Sequence, residues 1–265
     1  MTSAELPALL HRGAAIFIFA IGVGMVAVHT ALAALAAQQP DLGRRKPVVL
    51  AGLVGAYLTL WFGLAVTVGD RANFPLKHED LRLWLSLLAG FGPMFLGIAV
   101  LSASKTMRRL NAAMPPHWLI WAQTYRMAGL MFLFPFLYYG IVPAAFAIPA
   151  GLGDFLTGVC APFIGLAIAR QRPHAIKWAT AWNIFGMLDL IVAPAAAILS
   201  GAQLLGLYPL SLIALFIGPP LGILTHVYSL RNLAMLSSTA AVRASGQSPA
   251  AQRRGTRTES AVGRA

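Results

Sequence analysis

The chain reads as an all-α membrane protein of seven transmembrane helices, with its N-terminus outside and its C-terminus cytoplasmic. Three observations carry that expectation. Of the residues, 58% are hydrophobic and only 11% charged, at a mean hydropathy of +0.72, which leaves no polar surface for a water-soluble domain. Apolar segments recur at roughly 13–36, 47–69, 83–103, 117–139, 142–169, 177–199 and 207–230, each near the ~20 residues that cross ~30 Å of hydrocarbon. Positive charge falls on alternate gaps between them.

The gaps on one side hold Arg44, Arg45 and Lys46, then Lys105, Arg108 and Arg109, then Arg170, Arg172 and Lys177. The tail adds Arg231, Arg243, Arg253, Arg254, Arg257 and Arg264, so this side has fifteen of the twenty cations. The other side has Arg12, Arg71, Lys77 and Arg82, and Arg126 lies within a span. The cation-rich side is therefore expected to be cytoplasmic, in a bacterial inner membrane. This gives a short external N-terminus at 1–12, a membrane domain at 13–231 and a disordered basic tail at 232–265. The net charge of +12 follows from this topology beside an anionic leaflet, so the expected partner is the bilayer and not nucleic acid. A second copy of the chain or another membrane protein is an allowed further partner, because lipid-facing and partner-facing helix surfaces look alike.

The first segment is a retained helix: its apolar run is about twice a secretory h-region and no basic stretch precedes it. It carries His29. The second and third segments are almost wholly apolar. In the fourth, Trp118 and Tyr138 are spaced as interfacial anchors about 30 Å apart, and Tyr208 and Tyr228 repeat that spacing in the seventh. On a regular helix Arg126 lies about 12 Å inside the boundary set by Trp118. At that depth a guanidinium needs a partner. Gln123 shares its face.

The fifth segment places Pro149, Gly151 and Gly153 ahead of Asp154 and is longer than one crossing requires, so it is expected to be broken or re-entrant, with Asp154 in the first turn of its second piece. The sixth carries Asn183 and Asp189 on a polar face, the acid about 17 Å in from Trp178. Asp154 and Asp189 are the acids available to Arg126, giving a polar centre shared by the fourth, fifth and sixth segments. His29 and His226 both fall in the cytoplasmic half, where a haem or metal between the first and last helices is geometrically conceivable. No acid that could orient their rings, and no cysteine, stands near them in sequence, so no cofactor is expected. The single cysteine, Cys160, lies within a span and permits no intramolecular disulfide.

Several functions are excluded by residue type. All four lysines lie in loops or at helix ends, so none in the last helix can carry a retinal Schiff base. Gly-x-Ser-x-Gly, His-Glu-x-x-His and phosphate-cradling glycine loops are missing from the sequence. No recognisable enzyme motif remains.

From Arg126 to Leu230 the chain resembles a group of uncharacterised bacterial integral membrane proteins. The matching pattern is Arg126-x-x-Gly129, Pro143-x-x-Phe146-Ala147-x-Pro149-Ala150-Gly151-x-Gly153-Asp154, Trp182-Asn183-x-x-Gly186-x-x-Asp189-Leu190, Pro219-Pro220 and His226. The resemblance covers the fourth to seventh segments and implies no activity. Two functions fit the residues: a small proton- or cation-linked transporter or channel with a midplane Arg/Asp cluster, or a non-catalytic assembly subunit whose ion pairs are structural. A haem-binding redox subunit stands a distant third.

Overall fold

The computed structural model describes residues 5–38, 46–69, 79–140, 142–201 and 210–244. Arg44, Arg45, Arg71, Lys77, Tyr208 and the tail beyond residue 244, with Arg253, Arg254, Arg257 and Arg264, lie outside the described residues. Among the described residues all regular structure is helical. In order these are α1 (Glu5–Ala37), α2 (Lys46–Gly69), α3 (Glu79–Ala103), α4 (Lys105–Ala113) and α5 (Pro116–Ala122). A 3-10 stretch at Gln123–Phe132 leads into α6 (Leu133–Tyr139), followed by α7 (Ala144–Ala169) and α8 (Ala175–Leu199). The turn α9 (Leu210–Leu212), a π stretch at Ile213–Ile217 and α10 (Pro219–Ala244) complete the chain.

Six helical stretches are long and apolar enough to cross a bilayer, which makes this a multi-pass membrane protein. The fourth expected span is helical from Pro116 to Tyr139 but changes type twice on the way. Its 3-10 stretch is much longer than the three or four residues usual for that geometry. The reason lies in the burial pattern: Gln123, Arg126, Gly129 and Phe132 are the buried residues, spaced by three. With three residues per turn they stack in one line, which an α-helix would smear around its axis.

The last crossing is the axis of the bundle, with 72% of its apolar window buried against 17–33% for the other five. Around it, Trp61 of α2 meets Phe216 of the π stretch edge to face at 5.2 Å. A second cluster joins Ile120, Ala161, Ala179, Trp182 and Leu233 across α5, α7, α8 and α10. Outward, Val48, Leu60, Phe163, Trp178 and Leu199 are exposed, as expected of side chains that face lipid. Because lipid tails are as apolar as leucine, close backbone approach and interhelical hydrogen bonds must hold such a bundle.

One expectation is corrected. The fifth segment is not broken: α7 runs unbroken through Pro149, Gly151 and Gly153. Pro149 sits in the second turn, where a single ladder bond is lost, and the glycines serve contact between helices, since a Cβ on Gly151 would press on Leu133 and the Gly129 carbonyl. The interruptions fall instead at the 3-10 stretch and at Gly218, whose non-helical backbone precedes Pro219 and Pro220. The gap at 104–116 contains α4, capped by the Ser104 side chain, which accepts from the Met107 amide at 3.3 Å. Residues 232–244 continue α10, and residues 5–12 belong to α1. Buried Leu233 and a bond from Asn232 Nδ2 to the Met114 carbonyl at 2.9 Å anchor the former.

Candidate functional site

Arg126 is 2% exposed and enters the bundle from the middle of the 3-10 line. Its Nε donates to Asp154 Oδ1 of α7 at 2.6 Å, and its Nη2 donates to Asp189 Oδ2 of α8 at 2.5 Å. Nη1 lies 3.1 Å from the Gly186 carbonyl and 3.0 Å from His226 Nε2 of α10. Four of the five guanidinium N–H groups are thereby engaged by three different helices. With four residues of α-helix and four of 3-10 geometry from Trp118, the charge lies about 14 Å along the helix axis.

The tautomer of His226 follows from its neighbours. A guanidinium can only donate, so Nε2 accepts from Arg126, and Nδ1 carries the proton toward Asn183 Oδ1 at 2.8 Å. Asn183 Nδ2 then donates to the Ala179 carbonyl at 2.8 Å. Trp182 lies against the His226 ring with centroids 5.2 Å apart and donates to the Thr157 carbonyl at 3.0 Å. The polar chain thus runs from two carboxylates through a guanidinium and an imidazole to an amide. Each link has a donor matched to an acceptor.

Glycine makes the approach possible. A Cβ on Gly153 would overlap the Asp189 carboxylate, and one on Gly129 would overlap Asp154. A Cβ on Gly186 would come within 2.6 Å of His226 Nε2 and 3.0 Å of Arg126 Nη1. These positions are small because acid, imidazole and guanidinium occupy the space.

The expected Arg126, Asp154, Asp189 and Asn183 are brought together, and Gln123 lies one turn away, donating to the Gly222 carbonyl at 3.3 Å. His29 does not join them. Its Nδ1 bonds the Met25 carbonyl at 2.8 Å and its Nε2 lies 3.1 Å from Thr225 Oγ1. All four ring nitrogens of His29 and His226 therefore have partners within the protein, so the pairing considered for a haem or metal is not formed. Among the described residues no cluster of three or more His, Cys, Asp or Glu is arranged to hold a metal.

Sequence reasoning missed His226 as the fourth partner of Arg126, because the two are separated by 100 residues and the histidine carries no local motif. It also missed Tyr125, whose hydroxyl donates to the Ile217 carbonyl at 2.5 Å and ties the 3-10 stretch to the π stretch. Between these two irregular stretches a hollow of about 20 Å³ touches Tyr125, Arg126, Gly129 and Asp154. That is room for a single water molecule.

The profile of a family described as a domain of unknown function, DUF8737, matches residues 82–234, more than half of the chain, and the chain belongs to that family. The match begins at the start of the third membrane helix, so it reaches further than the fourth to seventh segments on which the sequence resemblance rests. No curated protein and no solved structure matches the chain.

Proposed function

We propose that this member of the DUF8737 family is a small transporter or channel that handles a proton or small cation at the Arg126 centre. The reading takes a seven-span topology, counting Pro116–Tyr139 as a crossing, with the N-terminus outside and the C-terminus in the cytoplasm of a bacterial inner membrane. The observation that carries it is the position of Arg126 inside a ten-residue 3-10 stretch, facing a second irregular turn at Ile213–Ile217. Irregular helix at membrane depth beside charged groups is the device by which many transporters build and move a midplane site. Two carboxylates against one guanidinium leave that site with surplus negative charge, suited to a cation. The two acids are almost equally enclosed, with side chains 12% exposed for Asp154 and 10% for Asp189, and Asp189 is the residue assigned to exchange.

The reading is tested in proteoliposomes loaded with a pH-sensitive dye. Imposed proton, sodium and potassium gradients should decay faster with protein than without, and Asp189→Asn should slow that decay about tenfold, a loss of roughly 1.4 kcal/mol in barrier terms. Decay equal to that of empty vesicles for all three gradients would count against transport.

A second reading is supported by the saturation of Arg126: a centre with four matched hydrogen bonds is also what a non-catalytic subunit needs to fix helix packing against a membrane partner or a second copy. Under it, Arg126→Leu combined with Asp154→Asn and Asp189→Asn leaves a folded protein with unaltered cellular behaviour. Under the transport reading the same triple variant is folded and inactive.

A further inference from the structure

A cavity of about 450 Å³ lies between α1, α2, α3, α4 and α10, on the opposite side of the last helix from the Arg126 centre. Its wall is mainly leucine, valine and methionine, and its size falls in the range of small-molecule sites. α4 closes one end. That helix is tied to α10 by Asn111 Nδ2, which donates to the Tyr228 carbonyl at 3.3 Å.

Most of the polar groups set among these apolar side chains have already spent their hydrogens within the protein. Tyr57 spends its hydroxyl hydrogen on the Pro93 carbonyl, and Tyr228 spends its own on the Gly97 carbonyl at 3.3 Å. His29 commits its Nδ1 proton to Met25, and Thr225 Oγ1 shares its single hydrogen between the Leu221 carbonyl at 2.8 Å and His29 Nε2 at 3.1 Å. Asn111, 5% exposed, has its Nδ2 engaged while Oδ1 finds no partner among the described residues. Exchanging the amide atoms would set Oδ1 against the Tyr228 carbonyl, so this orientation is the one the hydrogen bonds require. Ser104, whose oxygen accepts from the Met107 amide, and Thr106 keep hydroxyl hydrogens at the α4 end, but the buried side-chain atom of this wall that has no partner among the described residues is an acceptor, Asn111 Oδ1. A buried acceptor without a partner is costly, and a ligand that donates removes the cost.

We infer that this cavity binds an apolar molecule bearing a hydroxyl group, whose O–H is donated to Asn111 Oδ1. The alternative donor, an ammonium, is disfavoured by Lys105, Arg108 and Arg109, the cations carried on the helix that closes the cavity. A carboxylate or phosphate diester has no hydrogen to give Asn111 Oδ1 and leaves that acceptor unpaired. The remaining class is a neutral alcohol or phenol with a long hydrocarbon body, drawn from the surrounding lipid.

The test uses the full chain in detergent micelles, with farnesol and its methyl ether as probes and native mass spectrometry as readout. The ether keeps the body and cannot donate. Farnesol should bind saturably at one molecule per chain, and the ether about tenfold more weakly, the usual consequence of leaving a buried acceptor unpaired. Asn111→Leu should abolish the preference for the alcohol, and Leu96→Trp, which fills the cavity from a half-exposed wall position, should weaken both probes. Equal affinity of the unaltered protein for alcohol and ether overturns the inference without reference to any variant. So does the lack of saturable binding, or binding that Leu96→Trp leaves unchanged.

Discussion

Two consecutive residues of α10 face two different worlds. His226 turns toward Arg126 and closes a polar chain in which donors and acceptors are matched, whereas Thr225 turns toward a hollow lined mainly by hydrocarbon, on whose wall Asn111 Oδ1 has no partner among the described residues. One region is packed until even a methyl group on Gly153 has no room, and the other holds space for a small molecule. The contrast shows how a single buried helix can serve a fixed centre on one face and an exchangeable one on the other. What separates them is that the links of the Arg126 chain are matched to one another, whereas the cavity wall carries an acceptor, Asn111 Oδ1, without a partner among the described residues.

The sharpest way to break the contrast is to remove the guanidinium. Arg126→Leu leaves two carboxylates and an imidazole facing one another without their donor, and should cost about 3–5 kcal/mol, the penalty for orphaning a buried charge. Unfolding in detergent against a chaotrope would read this as a large fall in midpoint.

His226→Phe should come next. It keeps the aromatic volume against Trp182 but strips Arg126 Nη1 and Asn183 Oδ1 of a partner, a loss of about 1–3 kcal/mol. His29→Phe, which removes bonds only to Met25 and Thr225, should be milder in the same unfolding assay. A larger effect at His29 than at His226 would reverse the assignment of the two regions.

Glycine substitutions sharpen the comparison further. Gly153→Ala should cost about 1–3 kcal/mol because the Asp189 carboxylate already fills the space. Gly52→Ala meets nothing within 4 Å and should lie within about 0.5 kcal/mol of the unaltered protein. Thermal unfolding followed by helical circular dichroism would separate them. The smallest expected effect is at the cavity wall, where Asn111→Leu loses one long bond to Tyr228 and removes an unpaired acceptor, for a net change under about 1 kcal/mol.

Much of the centre was legible from one physical rule. An arginine at membrane depth must be paired, and Asp154 and Asp189 were the acids within reach, so Arg126, both acids and the amide face of Asn183 could be named from the chain alone. The six long apolar helices were legible from composition and length for the same reason. The misplaced breaks have a different origin. Pro149 and its glycines look like interruptions in sequence, but a proline near a helix start loses little, and the glycines exist to admit Arg126, Asp154 and Asp189 between helices. The 3-10 stretch did leave a trace, the three-residue spacing of Gln123, Arg126, Gly129 and Phe132, which a reading tuned to 3.6 residues passes over. The pairing of His226 with Arg126 and the cavity left none, because both depend on how segments far apart in the chain pack around the last helix.

The account rests on the clasp between Arg126 and the acids of α7 and α8. A double-mutant cycle on unfolding free energy, with Arg126→Leu, Asp189→Leu and the pair of substitutions together, tests it most directly. If the clasp exists the double variant should be more stable than the sum of the single losses predicts by about 1–3 kcal/mol, because each single change strands the other partner. Additivity to within about 0.5 kcal/mol would mean that the two side chains do not meet.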